Sequence, residues 1–263
     1  MSQDWIRVAE PCLHGNERQY VLDCLDTTWI SSRGKYIEQF EERMAEFCGV
    51  PFAIATNNGT TALHLALAAL GIGPGDEVIV PTLTYIASVN AIRYCGATPV
   101  FVDAEFPYLG ISPADVERKI TSQTKAIITV PLYGHPVDFD AIDQIARQHG
   151  LAIVEDAAEA LGASYKERPM GSMGHCASFS FFGNKTITTG EGGMVVTNDA
   201  QLADRLRFLR GQAVSPTKNY WHTDVGYNYR MTNIAAALGC AQMEKIDDYL
   251  QRRQQVAHWY QEA

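Results

Sequence analysis

Short unbroken apolar runs alternate along the chain with segments whose apolar residues recur at helical spacing. "FAIAT" (52–56) precedes "TTALHLALAAL", "DEVIVP" (76–81) precedes "YIASVNAIRYC", and "TPVFVD" (98–103) precedes "SPADVERKI". "KAIITVPLY" (125–133) precedes "FDAIDQIARQHG", and "LAIVED" (151–156) follows. A run without polar alternation has no solvent face. These runs therefore predict strands of a parallel sheet buried on both sides, with the helical segments as crossovers. "YIEQFEERMAEFCG" adds a helix upstream, with Ile37, Phe40, Met44 and Phe47 on one side and a terminal glycine as its stop. "CASFSFF" and "GGMVVTND" predict two more strands, while "DAQLADRLRFLR" and the segment from Met231 onward read as helical. The fold class is α/β, with a mainly parallel sheet flanked by helices.

The 263 residues suffice for one large domain with a substantial core. A net charge of −9 argues against nucleic acid or an anionic membrane as partner. It leaves room for a small anionic ligand, because backbone N–H groups bind phosphate without basic side chains. The six cysteines form no CxxC pair and read as reduced thiols of a cytoplasmic protein. "MSQDWIRVAEP" has neither the basic nor the apolar region of a signal peptide, no window is apolar enough to span a membrane, and the histidines lack metal-ligand spacing. "GIGPGDE" (71–77) follows a helix and opens a strand, the reverse of a dinucleotide-binding glycine loop, which speaks against a nicotinamide-dependent oxidoreductase.

Open α/β sheets hold ligands beyond the carboxyl ends of their strands, and the polar residues predicted there form a short set. After "FAIAT", Gly59 and Thr60 open an apolar helix whose free N–H groups suit a phosphate. The plain alternative is an N-cap, Asn58 or Thr60, with no ligand. After "LAIVE" comes Asp156, a carboxylate at the edge of the core, with Glu159 roughly one helical turn on. A helix-capping aspartate is the alternative there. After "CASFSFF", an apolar run read as buried, Lys185 emerges at the same edge, with Ser180 before it and Gly190, Gly192 and Gly193 after it in a loosened turn. A surface lysine at a hairpin is its alternative. Taken together the set supplies an amine able to form a Schiff base, a carboxylate for a ring nitrogen and a phosphate site, the three needs of pyridoxal phosphate (PLP).

The segments "NNGTTALHLALAALGIGPGDEVIVPTLTYIAS", "VEDAAEALGA", "SFSFFGNKTITTGEGGMVVTND" and "YWHTDVGYNYRMTN" stand in an order that resembles the PLP-dependent nucleotide-sugar aminotransferases of fold type I. Within that family the wording is most similar to the subgroup that aminates C4 of a GDP-linked 4-keto-6-deoxy sugar. The resemblance implies that Lys185 carries PLP, that Asp156 pairs with the pyridine nitrogen, and that Glu159 sits beside the ring hydroxyl. It implies further that Tyr85 stacks on the ring and that Gly59, Thr60 and Ser180 bind the phosphate. Asn228 would reach the phosphate of the neighbouring subunit, which makes a homodimer part of the site. L-Glutamate would be the amino donor and a nucleotide-linked keto-sugar the acceptor, with Arg33, Arg210 and Arg230 as candidates for holding the nucleotide. Relatives of this kind continue into a smaller C-terminal domain. On that pattern residues 1–245 form the PLP-binding large domain, residues 246–263 begin the helix leading onward, and the small domain has no counterpart in this chain. Two alternatives remain: amination of another nucleotide-linked keto-sugar, and a non-catalytic PLP-binding scaffold.

Overall fold

The computed structural model describes residues 8–218 and 220–262. Seven strands form the main sheet: β1 (Phe52–Thr56), β2 (Glu77–Pro81), β3 (Thr98–Val102), β4 (Thr124–Thr129), β5 (Ala152–Asp156), β6 (Cys176–Ser180) and β7 (Gly193–Thr197). Their spatial order is β1-β7-β6-β5-β4-β2-β3. The helices are α1 (Glu17–Asp26), α2 (Lys35–Cys48), α3 (Gly59–Ala69), α4 (Ile86–Tyr94), α5 (Pro113–Lys119), α6 (Phe139–His149), α7 (Ala200–Arg210), α8 (Asn233–Met243) and α9 (Ile246–Glu262).

The unbroken apolar runs become strands covered on both faces. On one face Ile54, Val78, Val80, Val154 and Val195 pack against α3, α4 and α7. On the other, Ala53, Ala55, Phe179 and Met194 meet α2 and α8, while Ile79, Ile127 and Ile153 meet α5 and α6. α2 ends as its sequence predicts, with Gly49 in the left-handed region (φ 67°).

Six strands run parallel. β7 runs antiparallel to both β1 and β6. The reason is local. The chain leaves β6 at Ser180 and re-enters at Gly193 on the same edge, so no crossover helix returns it to the other end. The lysine segment is that return loop. The helical segment from Met231 divides into α8 and α9, and in α9 Ile246 is the residue classed as buried. Among the described residues no helix is long and apolar enough to cross a membrane, and the six cysteines are free thiols.

Candidate active site

The carboxyl ends of the six parallel strands share one edge of the sheet. At β1 the chain passes from Thr56 into α3 within three residues. Asn58 is the N-cap, its side chain accepting the Thr61 N–H at 2.9 Å, which settles the choice between Asn58 and Thr60. The N–H groups of Gly59 and Thr60 precede the first intrahelical bond and stand at the positive end of the helix, available to an anion. Ser180, the last residue of β6, lies against this turn. A Cβ at Gly59 would sit 2.7 Å from Ser180 Cβ, so glycine is required for helix and strand to approach. The cradle of Gly59, Thr60 and Ser180 fits a phosphate.

The glycines after Lys185 do something other than loosen a turn. A Cβ on Gly192 would collide with Thr189 Oγ1, and one on Gly193 with the carbonyl oxygen of Asn58. They let the return loop and β7 close on the start of α3, while Gly190 (φ 82°) makes the bend.

β5 delivers Asp156, which is buried. Ser88 Oγ, on α4, donates to Oδ2 at 2.6 Å, and the Ala158 N–H to Oδ1 at 3.4 Å. Burial pushes its pKa up. The Ser88 hydroxyl, the Ala158 N–H and the charge of Lys185 pull it down, and Glu159 pushes it up again. No cation among the described residues comes within ion-pair distance of it, Lys185 pairing with Glu159 instead. A buried carboxylate in that condition is costly alone and suited to a ligand that brings a protonated nitrogen.

Glu159 reaches the site without the helical turn expected after Asp156. Residues 157–163 form successive turns, Ala160 N–H to Ala157 C=O and Ala163 N–H to Ala160 C=O, both at 3.0 Å. The Ala157 N–H is held by the Ser178 carbonyl at 2.9 Å, so the chain leaving β5 stays tied to β6. Glu159 Oε2 accepts the Tyr133 N–H at 3.0 Å, and Oε1 lies 3.4 Å from Lys185 Nζ.

Lys185 follows β6 in a turn closed by its N–H on the Phe182 carbonyl at 3.0 Å, and its side chain is 20% exposed. The preceding run is buried only through Phe181. Phe182, expected inside, is 49% exposed. The regular β6–β7 ladder ends at Ser180, and Phe182 keeps only an isolated bridge to Gly190 within the return loop, so its side chain follows the loop.

Tyr85 is the N-cap of α4, 75% exposed at the rim, one turn before Ser88. Asn228 is exposed in a segment tied to the end of β1 by the Asn57 N–H on the Tyr229 carbonyl at 2.9 Å. Thus Asp156, Glu159 and Lys185 come together, as do Gly59 and Ser180. Tyr85 and Asn228 stand at the same edge, Tyr85 at the start of α4 and Asn228 in the segment tied to the end of β1. Of the nucleotide candidates, Arg210 is used internally, on Glu41 and the Ala55 carbonyl, each at 2.7 Å. Arg230 reaches Asn228 Oδ1 at 3.3 Å, and Arg33 lines an open cleft.

Two participants escape sequence reasoning. Ser88 carries a usable signal, lying three residues after Tyr85 on a helix that must face the sheet. The Tyr133 N–H carries none, since a backbone group leaves no trace in residue identity.

A lysine and a buried carboxylate at the carboxyl edge of such a sheet, beside a helix N-terminus opened by glycine, define the class of PLP-dependent transferases. The chain belongs to the DegT/DnrJ/EryC1/StrS aminotransferase family, whose model matches residues 11–263. It is 59% identical over 257 residues to GDP-perosamine synthase of Caulobacter vibrioides, covering 98% of this chain and 69% of that protein. GDP-perosamine synthase of Escherichia coli O157:H7 is 56% identical over 256 residues, 97% of this chain and 70% of that one. The solved PLP form of Spr1654 from Streptococcus pneumoniae superposes with a TM-score of 0.93 at 32% identity, covering 98% of this chain and 71% of the other. Across solved relatives the chain spans between 60% and 71% of their length.

Proposed function

We propose that this chain transfers the amino group of L-glutamate to the C4 ketone of GDP-4-keto-6-deoxy-mannose, as a cytoplasmic PLP-dependent homodimer serving surface-polysaccharide synthesis. The observation that carries the sugar assignment is identity of 51–59% to three GDP-perosamine synthases over nearly the whole chain. The clustering of Lys185, Glu159 and Asp156 supports the reaction type.

When bound, PLP supplies a conjugated ring that accepts electrons from the carbon bearing the transferred amine. The chain's own residues do the rest. Asp156 would keep the proton on the pyridine nitrogen, a task its burial suits. Gly59, Thr60 and Ser180 hold the phosphate, with Asn228 contributed by the neighbouring subunit. Tyr85, exposed at the rim, would cover the ring face. Glu159 orients the Lys185 amine and borders the ring hydroxyl. Lys185 would hold the cofactor and, with its amine free, would move a proton at the reacting carbon as general base and acid.

The test is a panel of GDP- and TDP-linked keto-sugars incubated with the protein, PLP and L-glutamate, read by mass spectrometry. The expected result is the amino sugar from GDP-4-keto-6-deoxy-mannose with matching release of 2-oxoglutarate. Amination confined to a TDP-linked sugar, or no product with any, contradicts the assignment.

A further inference from the structure

The segment "GYNYRM" (226–231) belongs to no strand, yet its backbone is held on both sides. Thr56 pairs with Arg230, and the Asn57 N–H bonds the Tyr229 carbonyl at 2.9 Å. Across from them Tyr227 N–H bonds Leu209 C=O at 2.7 Å, Gln212 N–H bonds Tyr227 C=O at 2.9 Å, and Tyr229 N–H bonds Arg210 C=O at 3.2 Å. Extended backbone sends successive side chains to opposite sides. Tyr227 and Tyr229 turn inward with their rings stacked, centroids 4.9 Å apart and planes within 9°. Asn228, between them, faces out and is exposed.

The inward pair rests on His64 of α3, which is 5% exposed. The His64 ring meets Tyr227 edge-on at 4.9 Å and Tyr229 at 5.8 Å. Its Nδ1 lies 2.9 Å from the Tyr229 hydroxyl. Burial pushes the imidazole pKa down, so the neutral ring, with one donor and one acceptor nitrogen, is the form that meets the tyrosine. An apolar side chain would fill the same space but leave the hydroxyl against carbon, unpaired.

We propose that His64 is a positioning residue: through Tyr229 and Tyr227 it fixes the 226–231 strap so that Asn228 stands outward to bind the cofactor's phosphate in the neighbouring subunit. This rests on the role given to Asn228 above. α3 then serves two sites at once. Its first turn, Gly59 and Thr60, holds the phosphate of its own subunit, and His64, five residues on, aligns the strap that completes the partner's.

The experiment compares Tyr229→Phe, His64→Phe and Asn228→Ala in the full chain. PLP affinity is read by absorbance titration, and Tm is measured without cofactor. Tyr229→Phe is expected to weaken PLP about tenfold, the value of one well-placed hydrogen bond, with little change in cofactor-free Tm. Combined with Asn228→Ala it should add nothing to the loss from Asn228→Ala alone, because both act through one contact. Wild-type affinity in Tyr229→Phe, or fully additive losses, overturns the proposal. Should His64→Phe fail to fold, Tyr229→Phe decides. If Asn228→Ala leaves PLP affinity unchanged, the reading of Asn228 has failed and the proposal falls with it.

Discussion

Glu155 and Asp156 end the same strand, are both buried carboxylates, and face opposite sides of the sheet. Glu155 is closed off. Its Oε2 accepts the Gly171 N–H at 2.9 Å, and its Oε1 those of Met173 at 3.0 Å and Gly174 at 2.7 Å. Asp156 has one hydroxyl, one long N–H contact and, among the described residues, no cation at ion-pair distance, Lys185 pairing with Glu159. Burial raises the pKa of both, but three backbone donors pull Glu155 back, whereas Asp156 relies first on Ser88. A charge whose oxygens are all answered by its own backbone holds a loop in place. A charge left partly unanswered at a ligand-binding edge is available to chemistry. The difference lies in the surroundings and not in residue type.

The sharpest way to break the comparison is Asp156→Asn, which keeps the shape and the Ser88 contact but removes the charge. Amino transfer should fall by roughly 10³-fold, the scale of a lost proton-positioning group, with a smaller effect on PLP binding. Near-normal steady-state rates would erase the functional side of the contrast. The same variant has a signed effect on stability. Below the ordinary carboxylate range Asp156 is protonated both folded and unfolded. As pH rises toward the raised folded pKa, the unfolded chain releases its proton first, and stability is lost. Without cofactor, the Tm of Asp156→Asn relative to wild type should therefore climb from acid to neutral pH, which a thermal-melt series would show.

Glu155→Gln sharpens the structural side. Its amide places an NH₂ donor among N–H donors, leaving a buried group unsatisfied, so stability should drop by about 1–3 kcal/mol in denaturant titration. Activity of the folded variant at saturating PLP should stay near wild type, and a large kinetic loss at unchanged stability would reverse the assignment. Ser88→Ala gives the smallest effect. With its shortest donor gone, Asp156 should lose only a few-fold in rate, the scale of one hydrogen bond. A loss matching that of Asp156→Asn would make Ser88 itself a participant in the chemistry.

How far the sequence foretells this follows the same physics. Strands buried on both faces announce themselves as unbroken apolar runs, and helices by spacing, so the α/β order and the edge carrying Gly59, Asp156 and Lys185 are readable. The direction of β7 is not, because apolar runs do not say which way a strand points. The exposure of Phe182 and the turns after Asp156 also stay hidden, being decided by where pairing with β6 stops and by the Ser178 carbonyl. Gly192 and Gly193 read as freedom in sequence and prove to be close approach in space. Glu155 looks as chemical as Asp156 until the N–H groups of the 171–174 loop are placed around it.

The most direct test of the site is chemical. The PLP-loaded protein is reduced with borohydride, digested and mapped by mass spectrometry, alongside Lys185→Ala treated identically. The label should lie on the peptide containing Lys185 and vanish in the variant, whose circular dichroism should match wild type. A label on any other lysine, or one that persists in Lys185→Ala, would contradict the site described here.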